Sequence, residues 1–197
     1  MAIEKENKMT LETQQNVLGI TDAQIAVVTA NTKDSYTLGE RIEIPDLSSL
    51  DVTVTSETKE AKAGFKLADS FTMKTGYDVK FESVNIPMDV IAQINGATMT
   101  SDGTTPAQKN VVVDNEADVP VMFNLAFKSD LINGQATDIH MELYCVKGLL
   151  DVVTKADDYW TCSFEGKAFA RKIDGAFRAI TTNETAADID DTVDVGE

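Results

Sequence analysis

The stretch FESVNIPMDVIAQINGA, residues 81–97, decides how the rest of the chain is read. Phe81 to Val84 is strand-like, and the spacing then changes. Ile86, Val90, Ile91 and Ile94 recur at helical intervals and lay one apolar stripe along a single short helix. Asn85 or Ile86 starts it, Pro87 falls in its first turn, Asp89 lies near its positive end, and Gly96 stops it. Almost nothing else in the chain reads as a helix this well. The spacing predicts one small amphipathic helix over 86–95 whose apolar side has to cover something.

Outward from the helix, period-two alternation dominates. Ile25, Val27 and Thr29 begin it, and Leu50, Val52 and Val54 form a second run that fades into the charged stretch SETKEAKAGFKLAD. Tyr77, Val79 and Phe81 alternate with Asp78, Lys80 and Glu82, while Val119, Val121, Phe123, Leu125 and Phe127 give the strongest apolar stripe. Ile139, Met141, Leu143 and Cys145 oppose Asp138, His140, Glu142 and Tyr144. Trp160, Cys162, Phe164, Ala168 and Ala170 form the last long stripe, with Gly166 as a candidate bulge, and Phe177–Ile180 reads as a closing strand. Asp102-Gly103, Asn133-Gly134 and Asp174-Gly175 mark turns, the last a hairpin between ARKI and AFRAI. The expected architecture is mainly β: an antiparallel β-sandwich or partial barrel with one short α-helix packed on its side, plugging an open end or edge.

Residues 1–16 are polar without periodicity and read as an N-terminal arm, and residues 17–182 as the folded body. Residues 183–197 read as an acidic C-terminal tail, disordered in the free monomer, that includes Asp188, Asp190, Asp191 and Asp194. At 197 residues the chain is long enough to bury roughly 70% of the surface its unfolded form exposes. Its two cysteines, Cys145 and Cys162, therefore read as buried reduced thiols rather than a bridge. No signal peptide and no membrane-length apolar run is expected to direct the chain elsewhere, so a soluble protein made in the cytoplasm is anticipated. Acidic residues outnumber basic ones 33 to 17, for a net charge of −16, which repels nucleic acid phosphates and anionic membranes. That charge serves solubility, or a surface that nucleic acid approaches without sticking.

Enzymatic chemistry finds little purchase. The single histidine, His140, lies between Asp138 and Glu142 on what reads as the polar face of its strand, a solvated or interfacial position. No GxSxG elbow, phosphate loop or GxGxxG turn occurs, and two isolated cysteines with one histidine cannot assemble the usual zinc site. The carboxylates of residues 188–194 lack the glycine and glutamate that a calcium loop places at fixed positions. No catalytic residue, metal or cofactor is expected. A long charged loop over about 55–70 holds Lys59, Lys62 and Lys66 together with Phe65 and Leu67, and Phe71 follows just beyond. These apolar groups either tuck back onto the domain's own core or are buried by a neighbouring subunit.

The succession of elements resembles the major tail (tail tube) proteins of long-tailed bacteriophages. The likeness runs from SYTLGERIEIPDLSSLDVTVTSETKEAKAG through GYDVKFESVNIPMDVIAQINGA to VPVMFNLAFKSD, DIHMELYCVKGLLD and YWTCSFEGKAFARKIDGAFRAI, over roughly residues 20–182. The resemblance implies a virion structural protein assembled as stacked hexameric rings. The inner sheets of those rings would line a lumen that carries genomic DNA from capsid to host cell without specific binding. It implies further contacts with tape measure, tail tip and tail terminator proteins, and no membrane anchor. Carried onto this chain, the helix around Pro87, Val90, Ile91 and Ile94 packs near a subunit contact. The loop bearing Lys59, Lys62, Phe65, Lys66 and Leu67 would reach the adjacent ring, and the terminal arms would help lock rings together. Two alternatives stay open. One is the tube protein of a contractile injection or type VI secretion machine. The other is a monomeric β-sandwich binding module, against which Trp160 counts by lying in an apolar stripe.

Overall fold

The computed structural model describes residues 19–63, 66–85, 87–130, 138–154, 156–183 and 185–189. Ten strands and one helix follow in chain order: β1 (Asp22–Asn31), β2 (Tyr36–Glu43), β3 (Leu47–Ala63), β4 (Lys66–Ser83), α1 (Met88–Asn95), β5 (Thr98–Asp102), β6 (Lys109–Val113), β7 (Phe123–Asp130), β8 (Asp138–Val153), β9 (Thr161–Phe169) and β10 (Arg178–Asn183). Eight of the strands form one antiparallel sheet in the order β2-β1-β7-β8-β9-β4-β3, with β10 also paired to β8, and β5-β6 form a separate hairpin. The two ends of that order, β2 and β3, are joined by Ile44, Pro45 and Asp46 alone. Such a link spans at most about 14 Å. The sheet therefore curls until its first and last strands meet at a corner, without closing into a barrel.

The curl encloses the main core. Ile25 from β1, Tyr77, Val79 and Phe81 from β4, Phe123 and Leu125 from β7, Leu143, Val146 and Leu150 from β8 and Phe164 from β9 are all buried there. Phe164 sits at its centre, stacked on Phe81 with ring centroids 4.8 Å apart and edge-on to Phe123 at 5.3 Å. Each such side chain contributes roughly 1.5–3 kcal/mol by leaving water. The cross-strand pair Gly148↔Gly166 makes room for it: a Cβ would come within 2.7 Å of Phe164 Cζ at Gly148 and 2.5 Å at Gly166. Gly166 is thus not the bulge that its interruption of the stripe suggested, because β8 and β9 pair through it without a break in register.

A bulge occurs instead in β8, where Phe123↔Val146 is followed by Leu125↔Leu143. The extra residue lets Leu143 and Val146 both face the core while Tyr144 and Cys145 pack with Tyr36 on the opposite side. Simple alternation consequently fails at Cys145, which leaves the core face. Asp138 and Tyr144 keep the face expected of them but are buried there, Asp138 under Asn183 and Ala187 and Tyr144 against Tyr36 and Arg171. The Asp174-Gly175 turn forms, with Arg171 N–H donating to the Ala176 carbonyl and Gly175 at φ +77°. It is not a hairpin, because β10 pairs with residues 138–143 of β8, along the stretch that β9 leaves vacant.

The helix covers the other half of β8. β7 pairs with β8 only as far as Val146, so the backbone of Leu150 faces no strand on that side. Asn95, the last residue of α1, takes the strand's place: its Nδ2 donates to the Leu150 carbonyl at 2.8 Å, and Leu150 N–H donates to its Oδ1 at 2.9 Å. Val90, Ile91 and Ile94 are buried as expected, and Gly96 ends the helix at φ +70°. Pro87 is the N-cap rather than a first-turn residue, and Ile86 lies outside the described residues.

Two outcomes test this account of the helix. Asn95→Ala should cost about 1–3 kcal/mol by leaving the Leu150 amide and carbonyl buried without partners. Differential scanning calorimetry should therefore show a melting temperature lower by roughly 2–10 °C. Replacing Ile91 and Ile94 together by Asp should abolish folding, read as loss of the cooperative transition in circular dichroism, since two unpaired carboxylates enter the core.

Candidate assembly surface

The charged stretch that reads as a loop is a projecting β-ribbon. β3 and β4 continue their ladder past the sheet for eight residue pairs, from Ser56↔Lys74 to Ala63↔Lys66, whereas the ladder from β4 to β9 stops at Tyr77. Eight pairs extend about 26 Å. Residues 56–61 and 69–75 are exposed on both faces of the ribbon. The sequence hides this strand pairing because charged residues alternate on both faces and no apolar period marks it. Its root is fixed by Tyr77, whose hydroxyl accepts a hydrogen bond from Lys74 Nζ at 2.9 Å and whose ring packs under the Arg178 guanidinium at 4.8 Å.

Lys59 stands opposite Phe71 in the ribbon, and Glu57 opposite Met73. Phe71 is 62% exposed, so it does not tuck back onto the domain's core, and Met73 on the same face is also exposed. Phe65 and the side chains of Lys62, Lys66 and Leu67 lie outside the described residues. An isolated two-stranded ribbon is marginally stable in water, and the exposed Phe71–Met73 pair on it is an apolar face without a partner among the described residues.

Trp160 departs furthest from its sequence reading. It precedes β9 rather than joining its buried stripe and is 58% exposed, with Tyr159 beside it at 82%. The alternation that assigned it inward starts one residue too early. The outer face of β3, β4, β9 and β8 is a charged lattice. Lys80 Nζ lies 2.8 Å from Glu165, and Lys167 Nζ 3.8 Å from Asp78. These pairs are solvent-exposed and contribute little.

The same non-core face, at the other end of β8 where β7 and β10 flank it, carries the start of the acidic tail. Asp138 is buried, and its carboxylate accepts the Ala187 N–H and Asn183 Nδ2 at 2.8 Å each and approaches His140 Nε2 at 3.1 Å. Burial pushes that carboxyl up, but the donors from Ala187, Asn183 and His140 together outweigh it and hold it below the ordinary range. Lys128 Nζ donates to the Ala187 carbonyl at 3.1 Å and lies 3.7 Å from Asp188. Residues 185–189 are therefore a strap docked on the sheet, not a free tail, and the strap roofs a cavity of about 340 Å³ above Arg41, His140 and Glu142. Asp190, Asp191 and Asp194, and the arm of residues 1–16, lie outside the described residues.

His140 is correspondingly half-buried and held by Asp138 rather than solvated. Its Nε2 lies beside the Asn183 side-chain amide and the Asp138 carboxylate, the same carboxylate that holds the strap. Beside it, Arg41 bridges Asn124 and Glu142, and Arg171 clasps Asp174 through two bonds of 2.8 and 2.7 Å while lying 3.9 Å from the Tyr144 ring. Both cysteines are free and buried, and burial pushes the Cys145 thiol up to about 11. Among the described residues no group of His, Cys, Asp and Glu is arranged to hold a metal ion, and no helix is long and apolar enough to cross a membrane. Compared with known proteins, the chain matches no family model and no curated sequence.

The strap predicts an acid limb in stability. Asp138 sits below its unfolded value near 4, so its contribution is fully present above that pH and is lost as pH falls through the native value. Urea midpoints should stay level from about pH 8 to 5 and fall below about pH 4. In Asp138→Asn the plateau should drop by about 1–3 kcal/mol and the acid limb flatten. The thiols give a second check: native protein at pH 8 should react with no thiol reagent, and unfolded protein with two equivalents.

Proposed function

We propose that this chain is a structural subunit that self-assembles into stacked rings forming the tail tube of a bacteriophage, a conduit for DNA. The projecting β3–β4 ribbon carries this reading, because it exposes Phe71 and Met73 well beyond the sheet, where none of the described residues covers them. Open edges on β2 and β3 add unpaired backbone groups suited to pairing between subunits. The net charge of −16 supports a lumen through which DNA slides without adhering. Under this reading the protein is not an enzyme, binds no cofactor, and works in the virion tail alongside tape measure, tail tip and terminator proteins. The tube of a contractile injection or type VI secretion machine shares the architecture and differs in what accompanies it, a sheath or a secreted cargo.

A second reading, a monomeric binding module, gains from the exposure of Tyr159 and Trp160, which are the kind of platform such modules present to sugars. Negative-stain electron microscopy of dilute and long-concentrated protein separates the two. Stacked rings with a central hole are expected. A particle that stays monomeric with a tail-tip initiator added, and that binds oligosaccharide through Trp160, would transfer the assignment to the module.

A further inference from the structure

One carboxylate holds both the end of β10 and the strap that follows it. Asp138 Oδ1 accepts Asn183 Nδ2 at 2.8 Å, and Oδ2 accepts the Ala187 N–H at 2.8 Å with His140 Nε2 at 3.1 Å. The strap's other polar contacts go to a single cation, Lys128, through the Ala187 carbonyl and Asp188. Packing adds little, since residues 185–188 are exposed and only Ile189 is half-buried. Among the described residues Asp138 is the one buried carboxylate, and the core around Phe164 is apolar and aromatic. A segment with so few apolar contacts opens at a lower free energy than the core does.

We propose that the strap is an acid-released latch: protonating Asp138 frees residues 185–189 from the sheet while the β body stays folded. Both carboxylate oxygens act as acceptors, so a proton on either turns an acceptor into a donor facing Asn183 or Ala187. Burial raises this carboxyl, but its donors outweigh burial and hold it below the ordinary range while the strap is docked. Once released, it returns toward about 4. Release therefore takes up a proton and is favoured as pH falls through that interval. The surrounding charges do not reverse the sign. His140 on β8 itself, when protonated, holds a charged Asp138 more firmly and closes the latch. β7 supplies Lys128, opposite Asp22 of β1, and Asp130, which stands opposite Asp138 in the ladder with its side chain outside the described residues. Arg41 of β2 and Glu142 of β8 pair with each other in the cavity under the strap. β10 brings the neutral Asn183 and Thr181 to this face, and its Arg178 turns to Tyr77. Asp188, the strap's own acid, is exposed and 3.7 Å from Lys128, so losing its charge loosens the strap only slightly. Opening bares the Arg41, His140 and Glu142 cavity and leaves the strap held only by its covalent link to β10. The latch operates whatever the subunit assembles into.

The test places a nitroxide on Ala186→Cys, an exposed position, in the full-length chain. The two native thiols are buried, so native protein labels at the new cysteine alone. Electron paramagnetic resonance follows the label's mobility from about pH 8 to about pH 3, and circular dichroism of the same samples follows the β body. The label should be restrained at neutral pH and freely mobile below about pH 4, with the circular dichroism unchanged. Asp138→Asn should leave the label mobile at every pH, with loss of the transition. Lys128→Met keeps the carboxylate but weakens the strap, so its transition should persist and move to higher pH; this variant decides the matter if Asp138→Asn does not fold. Mobility that rises only as the circular dichroism signal is lost overturns the inference, because the strap then unfolds with the body. A label already mobile at pH 7 overturns it too, as does an acid transition that survives in Asp138→Asn or fails to move in Lys128→Met.

Discussion

The backbone of β8 beyond Val146 must be satisfied on a side that no strand among the described residues reaches, and much of the architecture follows from how this is done. A buried amide or carbonyl without a partner costs as much as a core methylene or more. Asn95 supplies both partners for Leu150 from the end of α1, which fixes where the helix lies. With Asn95 placed, Val90, Ile91 and Ile94 fall onto the core, and the Val121 N–H bonds the Ile94 carbonyl as the chain turns into β7. The helix is thereby the edge cover for half of a long central strand.

The two faces of the curled sheet are then put to different uses. One encloses the aromatic centre around Phe164, which two facing glycines allow to sit flat against the β8–β9 ladder. On the other side, buried polar groups are tied in pairs: Asp138 with the strap, Arg171 with Asp174 and the tyrosine rings, and Arg41 with Glu142 and Asn124. These networks pair most of the buried charged groups, and Arg171 Nη1 alone among the described buried side-chain nitrogen and oxygen atoms has no hydrogen-bond partner. Apolar side chains left exposed include Phe71 and Met73 on the ribbon, Tyr159 and Trp160 at the far end of the sheet, and also Val119 and Leu149.

Much of the fold was legible before any coordinates. The strand runs, the single helix with its buried Val90, Ile91 and Ile94, the Gly96 stop and the two buried thiols all follow from local spacing and composition. Legibility failed where a position's environment is made by a distant partner. The bulge at Tyr144–Cys145 depends on register with β7, so alternation alone mislabels the face of Cys145, and Asp138 and Tyr144 are buried by the distant Ala187 and Tyr36. The ribbon looked like a loop because its stability is cross-strand and its faces carry no apolar period. Trp160 reads as buried because it has the parity of the stripe, yet the strand starts only at Thr161 and its buried stripe at Cys162.

The sequence by itself determined the class of structure, since period-two and helical spacings are local consequences of backbone geometry. It also determined the charge of the surface and the identity of the covering helix. Only the tertiary structure decided which side chains are left over: Phe71 and Met73 on a ribbon beyond the sheet, Tyr159 and Trp160 at its far end, and a strap fastened to a buried carboxylate. The reason is physical. Exposure and pairing belong to contacts between residues far apart in the chain, and no local pattern records them.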